Sequence, residues 1–410
     1  MNTPQVRCRS CDQPNLTPIL SLGETPLANA LLSREHLNDI EERFPLDLVL
    51  CPACSLVQIT ETVPPEKLFS EYFYLSSFSE TLLRHSKENV EQLIVSRRLG
   101  SDSLVIEIAS NDGYLLQYYK QAGVAVLGIE PARNIAVTAE ERGIPTLCEF
   151  FDGQLAENLK AQGQSADVLH ANNVLAHVSD LNGFVGGVRA LLKESGVAVI
   201  EVPYVKDMID RCEFDTIYHE HLCYFSLTAL KHLFQRHGLL IADVQRLPIH
   251  GGTLRIFAVH ENAAEGESPD VAEMLADEVT WASDSAFYLG FGQKVESLRQ
   301  ELLSLINRLK SDDKRIAVYG ASAKGTTLMS YFGLSRTQLD FVVDRSTVKQ
   351  GRYTPGTHLP IYAPDLLLKE MPDYVLLLTW NFVDEILQQQ AEYRKLGGRF
   401  IIPIPDVKIV

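Results

Sequence analysis

The sequence lacks any apolar stretch near the roughly 20 residues that a membrane-spanning helix needs. Its best run, 374–379, is strand-sized, which excludes a helical membrane anchor. The opening residues MNTPQVRCRSC hold no apolar core of a signal peptide, so secretion is not expected. Positive charge is scarce: 37 Lys and Arg face 53 Asp and Glu, for a formal net charge of −16. A chain that acidic is not built to grip a nucleic-acid backbone, although it tolerates a local basic pocket for one small anion. Four motifs are missing as well. There is no GxGxxG, no HExxH, no intact Walker lysine loop and no Tyr-x3-Lys pair. These absences count against the common dinucleotide, zinc-protease, nucleotide-hydrolase and reductase signatures. What remains is a globular chain of 410 residues, 46% hydrophobic. It is long enough for two or three domains, and is expected to be soluble and cytoplasmic.

Seven cysteines are an odd number, unlike a secreted disulfide framework. Four form two CxxC pairs, Cys8 with Cys11 and Cys51 with Cys54, separated by 39 residues. Tetrahedral zinc wants four thiolates, and two such turns supply them with no open position, so a closed structural site is expected. Two redox pairs are the alternative. Residues 1–65 are broken by Pro and Gly and are too few to build a large core, which zinc would offset.

From there the texture changes. A helix over Glu80–Arg97 leads to a strand at Leu104–Ile108, a turn, a helix at 114–122 and a strand at Ala125–Ile129. Further strands are expected at 168–171 and 197–202. One helical run over 270–310 precedes strands near 341–344, 374–380 and 400–405. This alternation implies an α/β chain with doubly wound, Rossmann-like parallel sheets. The divisions read as 1–65, 66–265 and 266–410.

Three clusters carry chemistry. The turn EIASNDG (Glu107 to Gly113) sits at the carboxyl end of the first strand of its sheet, with Glu130 at the end of the second, placed for ribose hydroxyls. Ser110, Asn111 and Asp112 fill the turn where a pyrophosphate would demand glycine. Polar side chains there suit a cofactor with an amino-acid end, such as S-adenosylmethionine; a nicotinamide cofactor or an uncommitted fold are the alternatives. The second cluster is Tyr218-His219-Glu220-His221 with Tyr224. His177 lies on the same sheet edge, and Tyr72 and Tyr74 at the domain junction are placed to cap the crevice. A satisfied polar core is the bland alternative. The third is GASAKG (Gly320 to Gly325), whose Lys324 can hold a diphosphate with helix-terminal amides, facing Asn381 and the His250-Gly-Gly-Thr turn with Arg255. A plain tight turn is its alternative.

In order, the CxxC pairs, EIASNDGYLL, NNVLAHVSD, YHEHLCYFS, HGGTLR, YGASAKG and KQGRYTPGTHLPI make the whole chain resemble the S-adenosylmethionine-dependent sugar-nucleotide C-methyltransferases that act on deoxy keto sugars. That resemblance implies a zinc-binding N-terminal domain, a methyltransferase domain and a C-terminal Rossmann-like domain. It implies cofactor contacts from Glu107, Ser110, Asp112, Gly113, Glu130, Phe150, Phe151, Asn172 and Asn173. A nucleotide-sugar diphosphate is expected near His250, Arg255 and Lys324. Tyr72, His177, Tyr218, Glu220 and His221 look like the catalytic group, with His221 as base. A nicotinamide-dependent sugar-nucleotide oxidoreductase or epimerase and a non-catalytic interaction protein are the rival readings.

Overall fold

A computed structural model describes residues 6–69 and 75–410, the side chains of Phe69 and His250 aside. Strands β1 (Thr17–Pro26), β2 (Arg43–Leu50) and β3 (Val57–Ile59) form an antiparallel meander. Alternate residues Leu46, Leu48 and Leu50 of β2 are buried, so period-two patterning fixes which face packs inward. One CxxC knuckle precedes β1 and the other joins β2 to β3, and the two are built alike. Each closes with a backbone bond four residues on, Asp12 to Cys8 and Ser55 to Cys51, and each ends on a left-handed residue, Asp12 or Ser55.

The middle of the chain supplies β4 (Leu104–Ile108), β5 (Ala125–Ile129), β6 (Thr146–Leu147), β7 (Ala166–Asn172), β8 (Leu192–Pro203), β9 (Cys223–Tyr224), β10 (Leu239–Leu247) and β11 (Thr253–His260). All but β9 form one sheet in the order β10-β11-β8-β7-β4-β5-β6. From β6 to β8 the strands are parallel, and β11 runs antiparallel between β8 and β10. The winding direction reverses between β4 and β7, and the crevice at that point is where open α/β sheets bind ligands. Strand β9 leaves this sheet and joins the N-terminal one, pairing antiparallel with β3.

The third sheet runs in the order β14-β13-β12-β15-β16-β17, from β12 (Ile316–Tyr319), β13 (Val342–Val343), β14 (Ile361–Tyr362), β15 (Tyr374–Leu377), β16 (Arg399–Ile402) and β17 (Lys408–Ile409). It reverses between β12 and β15, so the GASAKG turn and the segment after β15 meet at one crevice. The single helical run expected over 270–310 is two helices, Pro269–Glu278 and Ser285–Ser311. The break has a cause. Glu278 is buried, and its carboxylate takes the Tyr204 hydroxyl and the backbone N–H groups of Leu227 and Thr228. Trp281 turns inward against Tyr204, and Asp284 caps the second helix at Ala286.

Candidate active site

A cavity of about 690 Å³ opens at the carboxyl ends of β4, β5, β7 and β8, within the usual size of a small-molecule site. Its wall on the β4 side is an unusual turn. Ala109, Asn111 and Gly113 have φ of 52°, 48° and 77°, the left-handed backbone that glycine favours, although two of the three carry side chains. The Asn111 amide donates to the Glu130 carboxylate at 3.0 Å and the Ala132 amide at 2.9 Å, so Glu130 ties the ends of β4 and β5 together while facing the cavity. Burial pushes its carboxyl above the usual range.

Phe150, Phe151, Asn172 and Asn173 complete this wall. Phe151 packs edge-on against Phe184 at 5.3 Å, an apolar platform. Asn172 Oδ1 is buried and has no hydrogen-bond partner among the described residues, an acceptor open to a donor. An acid for ribose, an apolar shelf for a base and an orphan acceptor fit S-adenosylmethionine. Four expected cofactor residues stand behind the wall. Glu107 is fully buried, its carboxyl raised well above its usual range by burial. Ser110 lies against Gly128, where a Cβ would collide with its hydroxyl. Asp112 is turned to Arg142 at 2.7 Å and to the Ser77 hydroxyl. Gly113 packs against Ile144. They shape the turn from the rear.

The opposite wall carries His177, Tyr218, Glu220 and His221. His221 Nδ1 lies 2.9 Å from the Thr216 carbonyl, which can only accept, so that nitrogen carries the proton. Nε2 is left as an acceptor, and the Tyr218 hydroxyl donates to it at 3.0 Å. His177 likewise donates from Nδ1 to the Glu220 carbonyl at 2.6 Å, its ring edge-on to His221 at 4.8 Å. Burial holds both imidazoles neutral, pushing His177 down to about 4 and His221 down to about 3. Glu220, 7% exposed, is pushed up to about 7 by burial. His219 points away, to the Pro45 carbonyl and the Phe44 ring, and acts as an anchor. Tyr72 and Tyr74 lie outside the described residues.

Lys324 and Asn381 bring the third sheet to the same cavity. The Lys324 ammonium sits over the Trp380 ring at 5.0 Å and 3.7 Å from Glu213, whose carboxyl burial pushes up to about 7. Arg255 is a correction. It is 4% exposed in β11 and sits opposite Glu201 in the β8–β11 register, bonded to it at 2.7 Å and to His85 at 3.0 Å. This buried group ties the helix Glu80–Arg97 to the sheet, with Gln245 on the third guanidinium nitrogen, and Arg255 does not line the cavity. The His250 backbone lies in the turn Ile249–Gly251, whose Gly251 and the following Gly252 reach the wall. No motif marks Asn29 or Glu213, which only the fold brings to the cavity. Asn29 follows the first strand of the zinc-binding unit and donates to Glu220 at 2.7 Å.

The four knuckle sulfurs lie within 4.8 Å of one another, with Cys8–Cys54 and Cys11–Cys51 both 3.5 Å apart. Tetrahedral Zn–S bonds of about 2.3 Å put sulfurs about 3.8 Å apart. The donor set and spacing fit zinc, fully enclosed by protein ligands and remote from the cavity chemistry.

Three family descriptions match the chain: a zinc binding domain over residues 8–69, a methyltransferase domain over 82–244, and a C-methyltransferase C-terminal domain over 248–405. The C-methyltransferase NovU of Streptomyces niveus is 36% identical over 408 residues, covering 99% of this chain and 97% of that protein. A ubiquinone biosynthesis O-methyltransferase of Rhodopseudomonas palustris (strain BisA53) is 29% identical over 97 residues, 23% of this chain and 38% of that one. Among solved structures, magnesium protoporphyrin IX methyltransferase from Synechocystis PCC 6803 with bound SAH aligns at 14% identity over 43% of this chain and 82% of that one, with a TM-score of 0.35. End-to-end identity to NovU, with the family matches laid along the zinc knuckles and both parallel sheets, establishes that the chain belongs to the S-adenosylmethionine-dependent C-methyltransferases.

Proposed function

We propose that the protein methylates a nucleotide-linked 4-keto-deoxysugar at the carbon beside the ketone, C-3. The observation that carries this reading is the neutral pair of buried imidazoles, with a tyrosine hydroxyl, in the cavity that Lys324 also enters. Saturated carbon is not a nucleophile. A ketone next door changes that, because breaking the α C–H bond leaves its electron pair delocalised onto the ketone oxygen. His221 is the base: its Nε2 lone pair takes the proton while Nδ1–H stays on Thr216. The Tyr218 hydroxyl, which must turn from Nε2 to the ketone oxygen for that lone pair to take the proton, is the donor for the developing enolate oxygen, worth on the order of 3 kcal/mol. His177, whose single proton stays on the Glu220 carbonyl, buttresses the His221 ring. S-adenosylmethionine, when bound, supplies an electrophilic methyl group. Asn172, Glu130 and the Phe150–Phe151 platform would hold it across the cavity from the imidazoles. Lys324 and Asn381 would take the diphosphate.

An imidazolium at His221 creates charge in a buried site, and an ionised Glu220 lining the same cavity would offset that cost. With Glu220 near 7, kcat/KM falls as pH drops below about 7, and Glu220→Gln lacks that limb. His221→Asn loses on the order of 10²–10⁴ in kcat. The deciding experiment is isotope exchange in D₂O with dTDP- and GDP-linked 4-keto-6-deoxysugars. Deuterium entering the α-carbon without cofactor, and one methyl replacing one hydrogen with it, is the expected result. No exchange and no methylation across the panel, in zinc-loaded folded protein, overturns the sugar assignment.

A further inference from the structure

We infer that Asn29 makes the zinc-binding unit part of the active site, acting as the positioning residue that holds the Glu220 carboxylate oriented toward the reacting groups. The inference rests on the role given to Glu220 above. Asn29 sits in the turn that follows β1, closed by the Ala30 amide on the Leu27 carbonyl, with Ala28 buried beneath it. From there its side chain enters the cavity and donates from Nδ2 to Glu220 Oε1 at 2.7 Å. Among the described residues this is the one hydrogen bond that the carboxylate receives.

The loop that bears Glu220 is gripped by the same unit at two further points. His219 Nε2 reaches the Pro45 carbonyl of β2, and the Ile59 amide donates to the Leu222 carbonyl just ahead of the β3–β9 pairing. The four-cysteine site that would hold zinc lies at the other end of the β1–β2 hairpin, where Thr17 pairs with Leu50 next to Cys51. The hairpin therefore links the four-cysteine site at one end to an amide that meets the Glu220 loop at the other. Burial penalises the charge on Glu220, and the Asn29 donor opposes that penalty. The other titratable groups lining the cavity include His177, Tyr218, His221, Cys223 and Tyr224 in the same cluster, Glu66, Tyr204, Glu213 and Lys324 further round, and Tyr114, Glu130, Glu149, Asp152 and Asp180 on the cofactor side.

The test is a carboxyl titration by NMR on full-length, zinc-loaded protein carrying ¹³C-labelled glutamate, with the Glu220 signal assigned by its loss in Glu220→Gln. Removing a hydrogen bond to a charged group moves such a midpoint by about one to two units. Asn29→Ala is therefore expected to raise the Glu220 midpoint by that amount. Asn29→Asp, nearly isosteric but anionic, raises it further. The acid limb of kcat/KM moves up in step, with the KM for S-adenosylmethionine unchanged and one zinc per chain retained. A titration of Asn29→Ala that superimposes on the wild type overturns the inference. A raised midpoint with an unmoved activity profile overturns the catalytic use of Glu220 and leaves the Asn29–Glu220 coupling standing.

Discussion

At Ala109 the backbone adopts a conformation that costs a side-chain-bearing residue about 1–2 kcal/mol. Alternate residues of the turn share it, so EIASNDG has the shape of a glycine-repeat turn written with Ala and Asn in two of its three places. That explains why the motif was only half legible. Glu107, Gly113 and the acid at Glu130 could be read, whereas a left-handed alanine leaves no trace in sequence. Strain of this kind concentrates at binding sites. Ala109→Gly is expected to raise unfolding free energy by about 1 kcal/mol in urea titrations. Glu220 has a signature of its own. Its folded value of about 7 lies above the ordinary 4.5, so between those pH values the folded state holds a proton that the unfolded chain has released. Stability therefore falls as pH rises through that window. Glu220→Gln should melt above the wild type at pH 8, with the gap closing below about pH 4.5, while activity moves the opposite way.

Among the elements, those with strong period were read closely. The helix Glu80–Arg97 and strands β4 and β5 fall where the apolar pattern puts them. Tertiary contacts decided the rest. The break at residues 279–284 exists because Glu278 serves the start of another helix, and β9, two residues long, is a strand only because β3 lies beside it. Arg255 was misread for the same reason, since its partner Glu201 comes from a strand 54 residues away. The zinc knuckles hold more than themselves. The carbonyls of Arg9 and Ser10 take the Asn182 side-chain amide, and Ser10 also takes Arg236, pinning the first knuckle to two helices of the methyltransferase sheet. Chelating the zinc should abolish turnover while far-UV circular dichroism keeps most of its helical signal, and restored metal should restore activity. Full retention of turnover in metal-free protein would separate the knuckles from the catalytic loop.

Over the whole molecule, all three sheet-bearing units send side chains to a single cavity, in a chain of net charge −16. Lys324 is the one lysine or arginine among the described residues of that wall, and Glu213 stands 3.7 Å from it. A diphosphate bound there must compete with Glu213 for this ammonium. Lys324→Ala is expected to raise the KM for a nucleotide sugar on the order of ten- to a hundredfold, with the KM for S-adenosylmethionine unchanged. Equal losses for both would place the diphosphate elsewhere. The N-terminal unit also bridges to the third sheet, through Leu32 with Tyr353 and Glu41 with the Gly356 amide. Because β9 is encoded in the middle of the methyltransferase segment yet completes the zinc-side sheet, genetic modules and physical units are interleaved here. A chimera joined near residue 65 would graft a foreign hairpin onto an unmatched seam, so productive exchange between relatives has to carry residues 218–224 along with the knuckles.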